Sequence, residues 1–126
     1  RLKRKPQRKN GLRPVFCFVI QIDWQQDSEG RIWSLHCEGH AGFDGELDLV
    51  CAAVSALTGS LGIGFSKVLQ VPCQLEAADG QFLLRLPPAT AEHPEFLQAQ
   101  TLLQTTVLAL TEMIEYYPGF IGRRPS

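Results

Sequence analysis

Residues 32–57 read IWSLHCEGHAGFDGELDLVCAAVSAL, and the fold turns on how this stretch changes its period. At first Trp33, Leu35 and Cys37 alternate with Ser34, His36 and Glu38, the period of two that marks a half-buried strand. Glycines at 39, 42 and 45 then punctuate a loop. From Asp48 onward DLVCAAVSAL is Ala-rich and apolar, with high helix propensity. Asp48 suits the N-cap, because its carboxylate accepts a bond from a free first-turn amide. The unit reads as strand, glycine loop, helix. Gly59, Gly62 and Gly64 weaken the later part of that helix, whose end is placed near Lys67.

Upstream, residues 14–24 (PVFCFVIQIDW) are rich in β-branched and aromatic side chains, as a strand should be. The turn residues Asp27-Ser28-Glu29-Gly30 join this strand to residues 32–38 as a hairpin. Downstream, residues 71–77 and 81–86 flank Asp79-Gly80, the strongest hairpin signal in the chain. Pro87-Pro88 ends that strand. Residues 92–117 carry Phe96, Leu97, Leu103, Val107, Leu110 and Ile114 at helical spacing, and Pro118-Gly119 stops them. The order ββαββα predicts an α+β fold in two layers, a mainly antiparallel sheet with two long helices against it.

The chain has 126 residues, which predicts one domain over residues 14–126 preceded by a basic arm over 1–13. The arm, RLKRKPQRKNGLR, holds seven of the twelve Lys and Arg and no acidic residue. The rest carries five basic against thirteen acidic side chains, a net of −8. A basic arm on an acidic body is not the footprint of a nucleic-acid-binding fold. The arm has the composition of a disordered tail, though its charge alone suffices for weak RNA contact. No apolar run is as long as the roughly 20 residues a membrane span needs, and no export signal is read, so the chain is expected to be cytoplasmic. The chain does not begin with Met, which reads as a processed or trimmed start.

Of four cysteines, Cys17, Cys37 and Cys73 fall in strand-like runs, where Cys behaves as a small buried hydrophobe. Cys51 differs. With Asp48 at the N-cap it is the third helical residue, where free amides and the positive helix end stabilise an anion and favour the reactive thiolate. His40 lies eleven residues upstream on the glycine loop, and a Cys–His pair is the minimal machine for acyl transfer. First-turn amides near Cys51 would supply an oxyanion hole. Ser55, one turn on, shares the face of Cys51. Gly39, Gly42 and Gly45 let the loop bend and a peptide backbone approach. Asp48 has two readings: it caps the helix, which is favoured, or it orients His40. Two rival readings stand beside catalysis. A cysteine in an Ala-rich helix is commonly a core residue. His36, Cys37, His40 and Cys51 are all zinc-competent, but H-C-x-x-H with one distant Cys matches no common spacing. No metal or cofactor is therefore expected. His93, before Pro94, reads as a turn residue.

Gly39-His40-Ala41-Gly42, followed by Asp48-Leu49-Val50-Cys51-Ala52-Ala53-Val54-Ser55, resembles the signature of the ribosomal-processing cysteine protease family, Prp. The likeness covers about residues 15–121 and includes Tyr117-Pro118. The glycine loop with Gly39, Ala41, Gly42 and Gly45 is the candidate substrate loop, with residues 41–47 as a flexible gate. The resemblance implies that His40 and Cys51 form a catalytic dyad, with Asp48 and Ser55 as further functional polar positions. It also implies a homodimer and a substrate, the precursor of ribosomal large-subunit protein twenty-seven, whose N-terminal extension is removed. The loop between His40 and Cys51 is one residue shorter than the usual form, and its glycine stands at 45 rather than just before the Asp. Leu47 takes a place that is often polar. The alternative from another class is a non-catalytic ribosome-associated module bound through the arm.

Overall fold

The computed structural model describes residues 20–39, 45–78 and 80–124, and the side chains at all of these except 45–48. Strands β1 (Ile20–Gln26) and β2 (Ile32–Gly39) form the first hairpin. Helix α1 (Gly45–Ile63) continues as a π-helical turn, Gly64–Val68. Strands β3 (Gln74–Ala78) and β4 (Gln81–Arg85) make the second hairpin. A 3₁₀ turn (Pro88–Glu92), helix α2 (Phe96–Tyr116) and strand β5 (Ile121–Arg123) complete the chain. The expected ββαββα order is present, with β5 added at the end. Cys17, the basic arm and the start of the first expected strand lie outside the described residues.

Five strands form one sheet in the order β3-β4-β2-β1-β5, antiparallel except for the β1–β5 pair. The register aligns Ile22, Cys37, Phe82 and Ala77 in one row across the sheet, and Trp24, Leu35, Leu84 and Leu75 in the next. These rows carry the buried strand residues Ile22, Leu35, Cys37, Phe82 and Leu84, and α1 and α2 add Val50, Val54, Leu61, Leu103, Val107 and Leu110 to the same core. Both helices therefore lie on one face, and the fold has two layers. His36, Glu38 and Gln81 take the alternate positions of their strands and face away from the helices. In the β1–β2 turn the Asp27 carboxylate accepts bonds from the Trp33 indole, the Arg31 guanidinium and two backbone amides. These bonds, the one from Trp33 foremost, hold its pKa well below the carboxylate range.

Four expectations shift. First, α1 begins at Gly45, not after a cap at Asp48; Glu46 and Leu47 are good helix formers and extend it by a turn. Second, of the three glycines expected to weaken α1, Gly62 and Gly64 serve as contacts, while a Cβ on Gly59 would meet nothing within 4 Å. A Cβ on Gly64 would stand 2.7 Å from Leu102 Cδ1 of α2, and Gly62 lies against Leu75 and Phe82. The helical run ends where Gln70 takes a left-handed conformation, φ +56°. Third, α2 begins at Phe96, four residues later than expected, because Pro94 forces the residue before it, His93, into extended backbone. Its inward stripe is Phe96, Ala99, Leu103, Val107 and Leu110, whereas Leu97 is 76 % exposed. Fourth, the helical segment Leu49–Val68 is, by length and composition alone, long and apolar enough to cross a bilayer. Its inward side chains Val50, Val54, Leu61 and Phe65 belong to the core of this two-layer fold.

Strand β2 is tied to α2 by a buried amide. Gln100 donates from Nε2 to the Ile32 carbonyl and accepts from the Ile32 amide at Oε1, both at 2.8 Å. Replacing Gln100 by Leu leaves that amide and carbonyl buried without partners, at a cost of about 1–3 kcal/mol each. Urea unfolding of Gln100→Leu is therefore expected to show a loss of about 2–4 kcal/mol with m unchanged. A loss under about 0.5 kcal/mol, the range of ordinary surface changes, would refute this pin.

Candidate active site

A cavity of ≈ 170 Å³ lies between the middle of α1 and the sheet end where β2, β3 and β4 meet. Its origin is a shortage of side chains on both walls. Gly39 donates its amide to the Gly80 carbonyl at 2.9 Å, so two glycines sit side by side in the helix-facing row that Ile20 begins. Ala77 stands in the next row. Across from them α1 presents Cys51, Ser55 and Gly59, all small, and Thr58. Gly39 and Gly80 have φ of +147° and +79°, backbone in which a side chain is strained.

Cys51 is half-buried and Ser55 exposed, and both open onto this cavity. The expectation that they share a face holds. The first-turn account of Cys51 does not. Because α1 starts at Gly45, Cys51 is its seventh residue, its amide is taken up in the helical ladder, and the free amides lie a turn away. The oxyanion hole expected from free amides beside Cys51 falls with that account, as does the N-cap role of Asp48, which is an interior residue of the helix. The Asp48 carboxylate, and so its orienting role, lies outside the described residues, as do His40, Ala41 and Gly42. Gly39 ends β2 on the cavity wall, and Gly45 opens α1.

A second thiol, Cys37, lines the same cavity but is only 4 % exposed. Burial pushes its pKa up to about 12, so it stays a neutral thiol in the physiological range. Cys73 does not lie in a strand, contrary to expectation; it precedes β3, and burial raises its pKa too. The cavity rim carries Glu38, which accepts from Arg124 Nη2 at 2.9 Å, while Arg124 Nε donates to Gln21. The tail after β5 thus braces the outer side of the β2 end. The zinc reading loses its first pair, since Cys37 faces the core and His36 the opposite side of β2. Among the described residues no three His, Cys, Asp or Glu side chains converge on one point. His93 is a turn residue, as expected, and its Nδ1 accepts the Glu95 amide.

The hairpin tip, with Ala77, Ala78, Gly80 and Gln81, is the part of this site that sequence reading missed. Its signal was present in the sequence as Asp79-Gly80, but only the β2–β4 pairing brings Gly80 beside Gly39.

A family model described as cysteine protease Prp matches residues 19–122. The chain belongs to that family. It is thus a cysteine protease, an enzyme rather than a module without chemistry. Among solved structures, the chain is similar to the ribosomal processing protease Prp of Staphylococcus aureus in complex with a substrate peptide, with 24 % identity and a TM-score of 0.71 over 83 % of this chain and 97 % of that one. It is similar to the same protease with a covalently linked product peptide, with 25 % identity and a TM-score of 0.67 over the same shares. A Streptococcus mutans protein matches with 25 % identity and a TM-score of 0.67, over 84 % of this chain and 96 % of that one. No curated protein matches by sequence. In this Prp-family chain the matched region spans every described element from β1 to β5, with its end one residue short of the end of β5.

Proposed function

We propose that this protein is a site-specific endopeptidase that removes the N-terminal extension of ribosomal large-subunit protein twenty-seven, with Cys51 as nucleophile and His40 as general base. The observation that carries this reading is the cavity itself. Cys51 is its one half-exposed thiol among the described residues, and Gly39, the neighbour of His40 in the chain, forms part of the opposite wall. Family membership supplies the reaction class, and the S. aureus complexes with a substrate peptide and a covalently linked product peptide support peptide chemistry at a nucleophile.

In this mechanism the Cys51 thiolate attacks the scissile carbonyl carbon, forming a C–S bond as the carbonyl electrons move to oxygen. Collapse breaks the C–N bond, and His40 delivers a proton to the departing amine. Water, deprotonated by His40, then attacks the thioester, releasing the new carboxylate and regenerating the thiol. Ser55 lines the same cavity, which supports a role for its hydroxyl as a donor to the thiolate or to the peptide. The net −8 of residues 14–126 favours association with a strongly basic ribosomal protein. Residues 1–13 add weak RNA contact to this reading.

Incubation of the purified protein with the precursor is expected to yield two fragments whose masses identify one cleaved bond near the N-terminus. Uncleaved precursor at equimolar enzyme would overturn the reading. A homodimer belongs to the same proposal. A third of the segment Leu49–Val68 is buried in a single chain, and Leu49 and Ile63 stand exposed on α1, an apolar face that a second copy would cover. Sedimentation at micromolar concentration is expected to give twice 14.0 kDa; the monomer mass there would refute the dimer.

A further inference from the structure

Resting on that protease reading, we infer that the substrate peptide binds as an added strand on the free edge of β3, with a second side-chain subsite at the far end of that strand. Three observations carry this. The first is a row of backbone groups unpaired among the described residues. Gly39 donates to Gly80 and Leu86 to Trp33, which in an antiparallel ladder directs the backbone groups of residues 80, 82, 84 and 86 at β2. The alternate residues Gln81, Leu83 and Arg85 then bond to β3 through their partners Ala78, Glu76 and Gln74. The amides and carbonyls of Leu75 and Ala77 are left pointing outward from β3, which is the edge of the sheet. All of β3 but Leu75 is exposed.

The second observation is continuity. Ala77 and Ala78 end β3 on the wall of the cavity that holds Cys51, so a peptide paired along the edge leads into the site of attack. The third is a hollow at the other end of the same strand, lined by Phe65, Ser66, Gln70, Val71, Cys73 and Leu75. Leu75 separates the two hollows, held against Gly62 with its Cδ2 3.5 Å from where a Cβ on that glycine would stand. Side chains of an added strand alternate between faces, so a peptide on this edge presents every second side chain to the helix side, one of them to the Phe65–Val71 hollow. Its apolar floor selects an aliphatic or aromatic side chain several residues from the reacting bond. Strand addition takes affinity from main-chain bonds and specificity from such alternate pockets.

The test uses the full-length chain as Cys51→Ala, which holds peptide without cleaving it, and a synthetic peptide spanning the extension and first mature residues of the ribosomal protein precursor. Saturation with peptide is expected to slow hydrogen exchange at the Leu75 and Ala77 amides at least about tenfold, as a new ladder bond should. In otherwise wild-type protein, Ala77→Pro removes an edge amide that β4 does not use, a change edge strands accommodate. It is expected to raise KM about tenfold, the effect of one lost main-chain bond and a blocked edge. If wild-type protein cleaves the peptide while both amides exchange as fast as before and Ala77→Pro keeps the wild-type KM, strand addition is wrong and the protease reading stands. Protection of these amides without peptide, rising with protein concentration, would assign the edge to a second copy and equally overturn the inference. Absence of both cleavage and binding would remove the protease reading and this inference with it.

Discussion

On the proposed mechanism, Cys51→Ala is expected to cut peptide cleavage to below about a thousandth of the wild-type rate, because the covalent step of that proposal runs through this thiol. The fold should survive. Cys51 is only partly buried, Ala has the highest helix propensity, and the change removes one sulfur from the wall of an existing cavity. The melting temperature is therefore expected to stay within a few degrees of wild type. The neighbouring thiol sharpens the test. Cys37 lines the same cavity but is held as a neutral thiol by burial, so it does not take over the attack. Cleavage by Cys51→Ala at a tenth of the wild-type rate or more would remove Cys51 from the mechanism.

Phe65→Ala is expected to destabilise the protein by about 3–5 kcal/mol, the usual range for truncating a buried Phe. Phe65 is fully buried in the π-helical turn that follows α1. Its carbonyl accepts the Val71 amide at 3.0 Å, while Leu69 donates to Gly64 across the turn. The side chain belongs to the core shared by α1, α2 and the sheet, so the truncation leaves a void that the surrounding layers cannot fill. Because whole domains are stable by only about 5–15 kcal/mol, the melting temperature should fall by roughly 10–20 °C. Calorimetry reads this directly, and a fall under about 3 °C would show that the turn repacks. Phe65 also floors the second hollow, so activity of this variant is read only where it remains folded.

Much of the architecture was legible because its signals are local. The alternation through Leu35 and Cys37 marks β2, the Asp79-Gly80 turn marks the β3–β4 hairpin, and the stripe through Leu103, Val107 and Leu110 marks α2. The errors fall at ends, where local preference is weak or in conflict. Asp48 is a good cap, yet Glu46 and Leu47 favour helix as well, and α1 starts at Gly45. His93 looks permissive until Pro94 forces it out of the helical region. Strand β5 has three residues, too few to show a period, and exists only through its pairing with β1 and the burial of Ile121.

For the site, the residue run around Cys51 by itself determined which thiol to examine and which histidine to pair with it, since both are carried by a contiguous motif. What the chain order could not determine is what faces that thiol. Gly39 and Gly80 lie far apart in sequence, and each alone reads as a turn glycine. Only the β2–β4 register sets them side by side beneath α1, where two missing side chains leave a cavity open. A cavity is a property of facing surfaces, so its walls become visible only once the sheet has been assembled.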